Sequence, residues 1–207
     1  MKEIVIDFIR HGEPIGGKKY RGKTDDALSE LGWQQMTEMR RLIGDNAWQQ
    51  VVCSDLCRCQ DFARQVSEQL HIPLRVKKAF QEIDFGVWEG KSAQQIEQEF
   101  PHELFAYYQS PEKHTPQDAE HVNDFNGRVL EAWHDLIVET VQQNQNHVLF
   151  VAHAGVMRCI LAEILQIKRQ STYHLDLSYA CFIRLKLFVD GANIYGQLQE
   201  MKNLKVN

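Results

Sequence analysis

Two rhythms of apolar and polar residues divide this chain. Short β-branched runs at 3–9, 50–53 and 147–152 read as buried strands. Between them, apolar residues recur at three- and four-residue spacing, the mark of amphipathic helices. The first helix starts from a cap at Ser29 or a neighbour and runs to about Leu42, with Glu30 and Gly32 early and Gly44 as its stop. Further helices cover about 56–70, ahead of Ile72-Pro73, then Ser92 to Phe100, about Val122 to Gln143, and about 155–166. The polar stretch from Ser110 to Asp118 reads as a loop. At the end of the chain, Cys181 to Val189 and Asn193 to Gln199 read as antiparallel strands separated by an Asp190-Gly191 turn. Strands alternating with helices predict a three-layer α/β/α sandwich with a mainly parallel sheet. No repeat, low-complexity tract or linker interrupts the pattern, so one domain is expected over 1–207.

Composition narrows the class without selecting a chemistry. With 207 residues, 43% hydrophobic and 25% charged, the chain can bury one sizeable core. No run approaches the roughly eighteen apolar residues of a membrane span, and the N-terminus begins a strand instead of a basic-then-apolar leader. A cytoplasmic location is the expectation. The net charge of -5 speaks against nucleic acid and membrane surfaces as partners. Cys53, Cys57, Cys59, Cys159 and Cys181 are an odd number in a chain that needs no staples, which predicts reduced thiols. Cys57 and Cys59 are two apart and would face different sides of a helix, so no metal site is expected there.

The chemistry lies at two strand ends. The first run ends in Arg10-His11-Gly12-Glu13, and the run at 147–152 ends in His153-Ala154-Gly155. Open α/β sheets keep their sites at the carboxyl ends of strands. A pair of histidines with a neighbouring arginine there suits phosphoryl transfer through a histidine nucleophile, with guanidinium groups neutralising the phosphate.

These residues, with Arg21-Gly22, Ser54-Asp55-Leu56 followed by Arg58, and Glu82 to Gly90, occur in the order of a known family. The chain resembles the histidine phosphatase superfamily, in its phosphoglycerate-mutase-like branch, over nearly its whole length. The resemblance implies that His11 is the nucleophile and forms a phosphohistidine that water then cleaves. One ring nitrogen of His11 must be held, for instance by a backbone carbonyl, to fix the tautomer. Arg10, Arg58 and His153 are implied as the phosphate pocket, with Arg21 a further member and Gly12 beside the phosphate. Glu82 is implied as the acid that protonates the leaving alkoxide and later activates water, a role worth about a hundredfold or more. Asp84 and Glu89 are neighbouring carboxylates that compete for it. Glu13 reads as structural or substrate-orienting.

The resemblance also implies metal-independent chemistry without a cofactor, on a small phosphomonoester, in a monomer or homodimer. The chain is short after the acid, where the family's mutases are longer. Its compact form resembles the bacterial α-ribazole-5′-phosphate phosphatases of cobalamin assembly, and Trp88, Tyr107 and Tyr108 are candidate flat surfaces for an aromatic base. Alternatives are a broad-specificity sugar or nucleotide phosphatase, a phosphoglycerate mutase, or a non-catalytic phosphate-binding protein. The presence of both His11 and Glu82 speaks against the last. The chain departs from the family at Asp118-Ala119-Glu120-His121, where a Gly-Gly-Glu-Ser type segment is usual, at Ala154, and at Cys59, Asp61 and Phe62.

Overall fold

A computed structural model describes residues 1–44 and 47–204. The elements in order are β1 (Lys2–Arg10), α1 (Glu30–Ile43), β2 (Gln50–Cys53), α2 (Cys57–Leu70), β3 (Leu74–Val76), α3 (Ala93–Glu99), α4 (Glu103–Gln109), α5 (Val122–Gln142), β4 (His147–Ala152), α6 (Ala154–Ile164), β5 (Phe182–Asp190) and β6 (Asn193–Lys202). They form one sheet of order β3-β2-β4-β1-β5-β6 with helices on both faces. The pairs β3·β2, β2·β4 and β4·β1 are parallel, whereas β5 and β6 add antiparallel at the β1 side. The expected mainly parallel α/β/α sandwich is the observed one.

Alternation along β1 builds both cores. Ile4, Ile6 and Phe8 pack with Val129, Trp133 and Leu136 of α5, while Ile9 packs with Met36 and Met39 of α1 and Phe62 and Val66 of α2. Ser29 caps α1 by accepting the Gly32 N–H, and Gly44, at φ 74°, ends it with its N–H on the Arg40 carbonyl.

Three features differ from the sequence expectations. β3 is only three residues long, too short to carry a periodicity. Helix α4 lies where no helix is expected; its preceding residue His102 has φ 69° and supplies no side-chain cap. β6 runs past Gln199 to Lys202, because Gln199 is an extra residue between the pairs Leu185↔Leu198 and Arg184↔Glu200. The bulge breaks the alternation at the point where the sequence pattern stops.

One buried charge interrupts the apolar run of β1. The Asp7 carboxylate is fully buried and accepts from Trp48 Nε1 at 2.8 Å, His147 Nε2 at 2.8 Å, and Arg184 Nε and Nη2 at 2.7 and 2.8 Å. Burial alone would push this carboxyl up, but the bonds from Arg184, His147 and Trp48 outweigh it and hold it below its ordinary value. A depressed folded-state value contributes stability above the unfolded pKa, lost as pH falls through the folded one. Asp7→Asn is therefore expected to cost about 3 kcal/mol near pH 7, read as a lowered urea midpoint, with the difference from wild type shrinking in acid. An unchanged midpoint would show that the cluster contributes nothing to stability.

Candidate active site

The register Arg10↔Ala152 places the ends of β1 and β4 side by side, so His11 and His153 leave the sheet as neighbours. The His11 N–H donates to the Ala152 carbonyl at 3.0 Å, and the two rings stand 5.2 Å apart between centroids at 63°. Both are buried, His153 completely.

The His11 ring has a fixed tautomer. Its Nδ1 lies 2.8 Å from the carbonyl of Gly12, so Nδ1 carries the proton and the Nε2 lone pair is the nucleophilic position. Burial, then the Arg10 and Arg58 cations, push the His11 pKa well below its ordinary value. His153 is lowered in the same way by burial, Arg58 and His11. Both imidazoles are neutral at pH 7.

Gly12 is required by packing. A Cβ there would lie 2.2 Å from the Gly32 carbonyl oxygen, and one at Gly32 would lie 2.1 Å from the Glu13 oxygen. The turn after His11 thus rests directly on the first turn of α1. The Gly12 contacts seen here are its carbonyl on His11 and this packing.

Helix α2 brings in Arg58, completely buried in its first turn. Its guanidinium donates to the carbonyls of Thr24 at 2.6 Å, Gly22 at 2.8 Å and Arg21 at 3.3 Å, while its Nε–H is buried without an acceptor. Arg10 is alike: Nη1 donates to the Leu177 carbonyl, the guanidinium carbon lies 4.4 Å from the centre of the Tyr179 ring, and Nε is buried without an acceptor. Arg21 is arranged differently. It donates to Asp26 Oδ2 and to the carbonyls of Gly17 and Ile15, each at 2.6 Å, and so closes its own loop, its charge reaching His11 only as a minor effect.

Among the carboxylates the structure distinguishes three roles. Glu82 Oε2 accepts the Gly155 N–H at 2.9 Å, at the N-terminus of α6 two residues after His153. A Cβ at Gly155 would sit 2.1 Å from Glu82 Oε1, so any larger residue there would displace the carboxylate. Glu89 is saturated by the N–H groups of Gly22, Phe85 and Thr24 and by the Thr24 hydroxyl, which ties the loop under Arg58 to the segment after Glu82. Asp84 pairs with Lys23 and the Gly86 N–H.

Of the aromatic candidates, Trp88 and Tyr107 are interior, forming a small core with Ile96. Tyr108 is 39% exposed; its hydroxyl meets that of Tyr20 at 2.7 Å and its ring stands edge-on to Tyr173 at 5.1 Å. Sequence reasoning missed three contacts. Cys59 lies with its thiol 3.5 Å from His153 Nε2; Tyr179 lies against Arg10 and, at 5.8 Å between ring centroids, against His11; and Arg128 lies behind Glu82. Only Cys59 carried a signal, as a departure from small residues. All five cysteines are free. Among the described residues, no group of three or more His, Cys, Asp or Glu side chains forms a metal cluster, and no helix is long and apolar enough to cross a membrane.

Paired imidazoles, guanidinium groups and a carboxylate at the ends of parallel strands define a class of phosphate-transferring proteins. The chain belongs to the histidine phosphatase superfamily, whose branch 1 model matches residues 6–196. It is a hydrolase of phosphomonoesters. It is 27% identical over 180 residues to the adenosylcobalamin/alpha-ribazole phosphatase of Escherichia coli, covering 84% of this chain and 86% of that one. It is 26% identical over 174 residues to the glucosyl-3-phosphoglycerate phosphatase of Mycobacterium tuberculosis, covering 81% and 78%. The fold is shared with a solved mycobacterial hydrolase at a TM-score of 0.85 and 24% identity, covering 97% of this chain and 91% of that one.

Proposed function

We propose that the protein hydrolyses phosphomonoesters through a phosphohistidine on His11, and that α-ribazole 5′-phosphate is its substrate. The observation that carries the route is the neutral, tautomer-fixed imidazole of His11 beside Arg10, Arg58 and His153. Nε2 attacks phosphorus in line, an N–P bond forms, and the bond from phosphorus to the leaving oxygen breaks. Glu82 in its acid form gives that oxygen its proton. In the second half, the Glu82 carboxylate takes a proton from water, the water oxygen bonds to phosphorus, and the N–P electron pair returns to Nε2. Arg10 and Arg58 spread charge away from the phosphoryl oxygens, each having a buried Nε–H without an acceptor. His153, neutral, acts as a hydrogen-bond donor from one ring nitrogen.

The substrate assignment is supported by the E. coli relative and by the partly exposed ring of Tyr108 beside the half-buried ring of Tyr173, which offer edges and faces to an aromatic base. Arg10 and Arg58 supply positive charge in fixed positions, so the reading has no need of a metal ion.

The test is a comparison of specificity constants in excess chelator. α-Ribazole 5′-phosphate is expected to exceed 3-phosphoglycerate, glucosyl-3-phosphoglycerate, fructose 2,6-bisphosphate and nucleoside monophosphates by about tenfold or more, roughly 1.4 kcal/mol of transition-state binding. Preference for any competitor removes the substrate assignment and keeps the histidine route. Activity that vanishes with chelator and returns with zinc or magnesium removes the metal-free route.

A further inference from the structure

We propose that Arg128 and Glu120 form the positioning pair that sets the proton donor Glu82, so that the 110–121 loop and the acid act as one unit. The inference rests on the assignment of Glu82 above. Arg128 lies in the second turn of α5, where the sequence pattern marks only a helix. Five hydrogen bonds occupy its five N–H groups. Two go to the Glu120 carboxylate, from Nε at 2.6 Å and Nη2 at 2.7 Å. Three go to the main chain before and at the acid: Nη1 to the carbonyls of Ala79 at 2.8 Å and Gln81 at 2.9 Å, and Nη2 to the carbonyl of Glu82 itself at 3.2 Å.

Ion pairs at protein surfaces are worth little, but a planar fork shared between a carboxylate and three carbonyls fixes geometry as well as charge. Lysine has no such fork. The clamp therefore defines where the Glu82 backbone sits, and the Gly155 N–H then aims its carboxylate.

The other half of the pair stitches the loop to the same segment. The Glu120 N–H donates to the Asp84 carbonyl at 3.0 Å, and the Val87 N–H donates to the Gln117 carbonyl at 3.0 Å. Gly86, at φ 56°, lets the chain pass so close that a Cβ would lie 2.1 Å from the Gln117 oxygen. The segment from Asp84 to Val87 and the loop from Gln117 to Glu120 are laced together just after the acid, while Arg128 holds the main chain before and at it. Glu120, the one residue this loop shares with the usual family segment, thus has a contact that accounts for it. A ligand that displaces the loop displaces the acid.

A positioning role for a proton donor has a signature that a purely structural role lacks: it depends on the leaving group and disappears when the donor is removed. Arg128→Lys and Glu120→Gln are each expected to lower kcat/KM for an alkyl phosphate about tenfold or more, while 4-nitrophenyl phosphate, whose phenoxide departs unprotonated, loses less than about threefold. Introduced into Glu82→Gln, Arg128→Lys is expected to change alkyl phosphate turnover less than about twofold. Equal losses on both substrates, or a full loss persisting in the Glu82→Gln background, overturn the proposal. The Glu82→Gln variant alone judges the underlying assignment: if it slows both substrates equally, the donor is another group and the clamp has lost its target. Glu120→Gln retains an amide oxygen for Arg128, so a folded variant is on hand if Arg128→Lys unfolds.

Discussion

His11→Ala is expected to lower kcat/KM by about four orders of magnitude or more, with the circular dichroism spectrum unchanged. In the proposed route the side chain provides the attacking atom, and no other side chain takes its position. Its backbone N–H bond to Ala152 and its carbonyl bond from Ala180 are untouched by the change, so the join of β1, β4 and β5 persists. The wild-type chain should trap acid-labile phosphate, and the variant should not. The pH profile adds a second check. Because burial and the neighbouring cations hold both imidazoles well below the ordinary histidine value, no loss of rate from histidine protonation is expected near pH 6.5, and that limb lies further into acid. Residual activity above about one part in a hundred would move the nucleophile elsewhere, His153 first.

The second large effect is expected at Arg58. Removing one fixed donor of developing charge costs about 10²–10³ in rate, and Arg58 supplies charge to both histidines and a buried Nε–H. Arg58→Lys is expected to lower kcat/KM about 10²-fold, and Arg58→Ala about 10³-fold with a lower melting temperature. The alanine variant leaves the carbonyls of Arg21, Gly22 and Thr24 without their donor, which explains the added loss of stability. Steady-state kinetics with 4-nitrophenyl phosphate, beside a thermal melt, separates the two effects. A loss below about threefold in the lysine variant would show that the guanidinium serves only the loop.

What the sequence declared best were features with a local cause. β1 and β4 are apolar runs cut off by histidine, so their ends and the two imidazoles were readable together. Glu82 was distinguishable from Glu89 only by resemblance; the physical difference, one carboxylate at the start of α6 and the other saturated by loop N–H groups, exists only in three dimensions. Arg21 reads as a phosphate ligand and is engaged with its own loop, because the carbonyls of Ile15 and Gly17 turn inward there. Trp88 and Tyr107 read as ring surfaces and are interior, since Tyr107 of α4 turns inward to pack with Trp88 and with Ile96 of α3. Arg128 was invisible for a different reason. A cation on one face of a long helix is usually solvated, and its partners come from residues 79–82 and 120, none of them at helical spacing from it.

The join of β1 to β4 and β5 has a consequence for the chain as it is made. His11 emerges among the first residues, yet its neighbours Ala152, His153 and Ala180 come from the last third. Closing so long a loop is a non-local event that local helix formation does not assist. A nascent chain that ends before β4 carries His11, Arg10, Arg58 and Glu82 but lacks His153 and the strand that sets His11 beside it. Tight binding of a phosphate mimic such as vanadate is therefore expected only once β4 has joined β1, and it reports that non-local closure more directly than any helical signal.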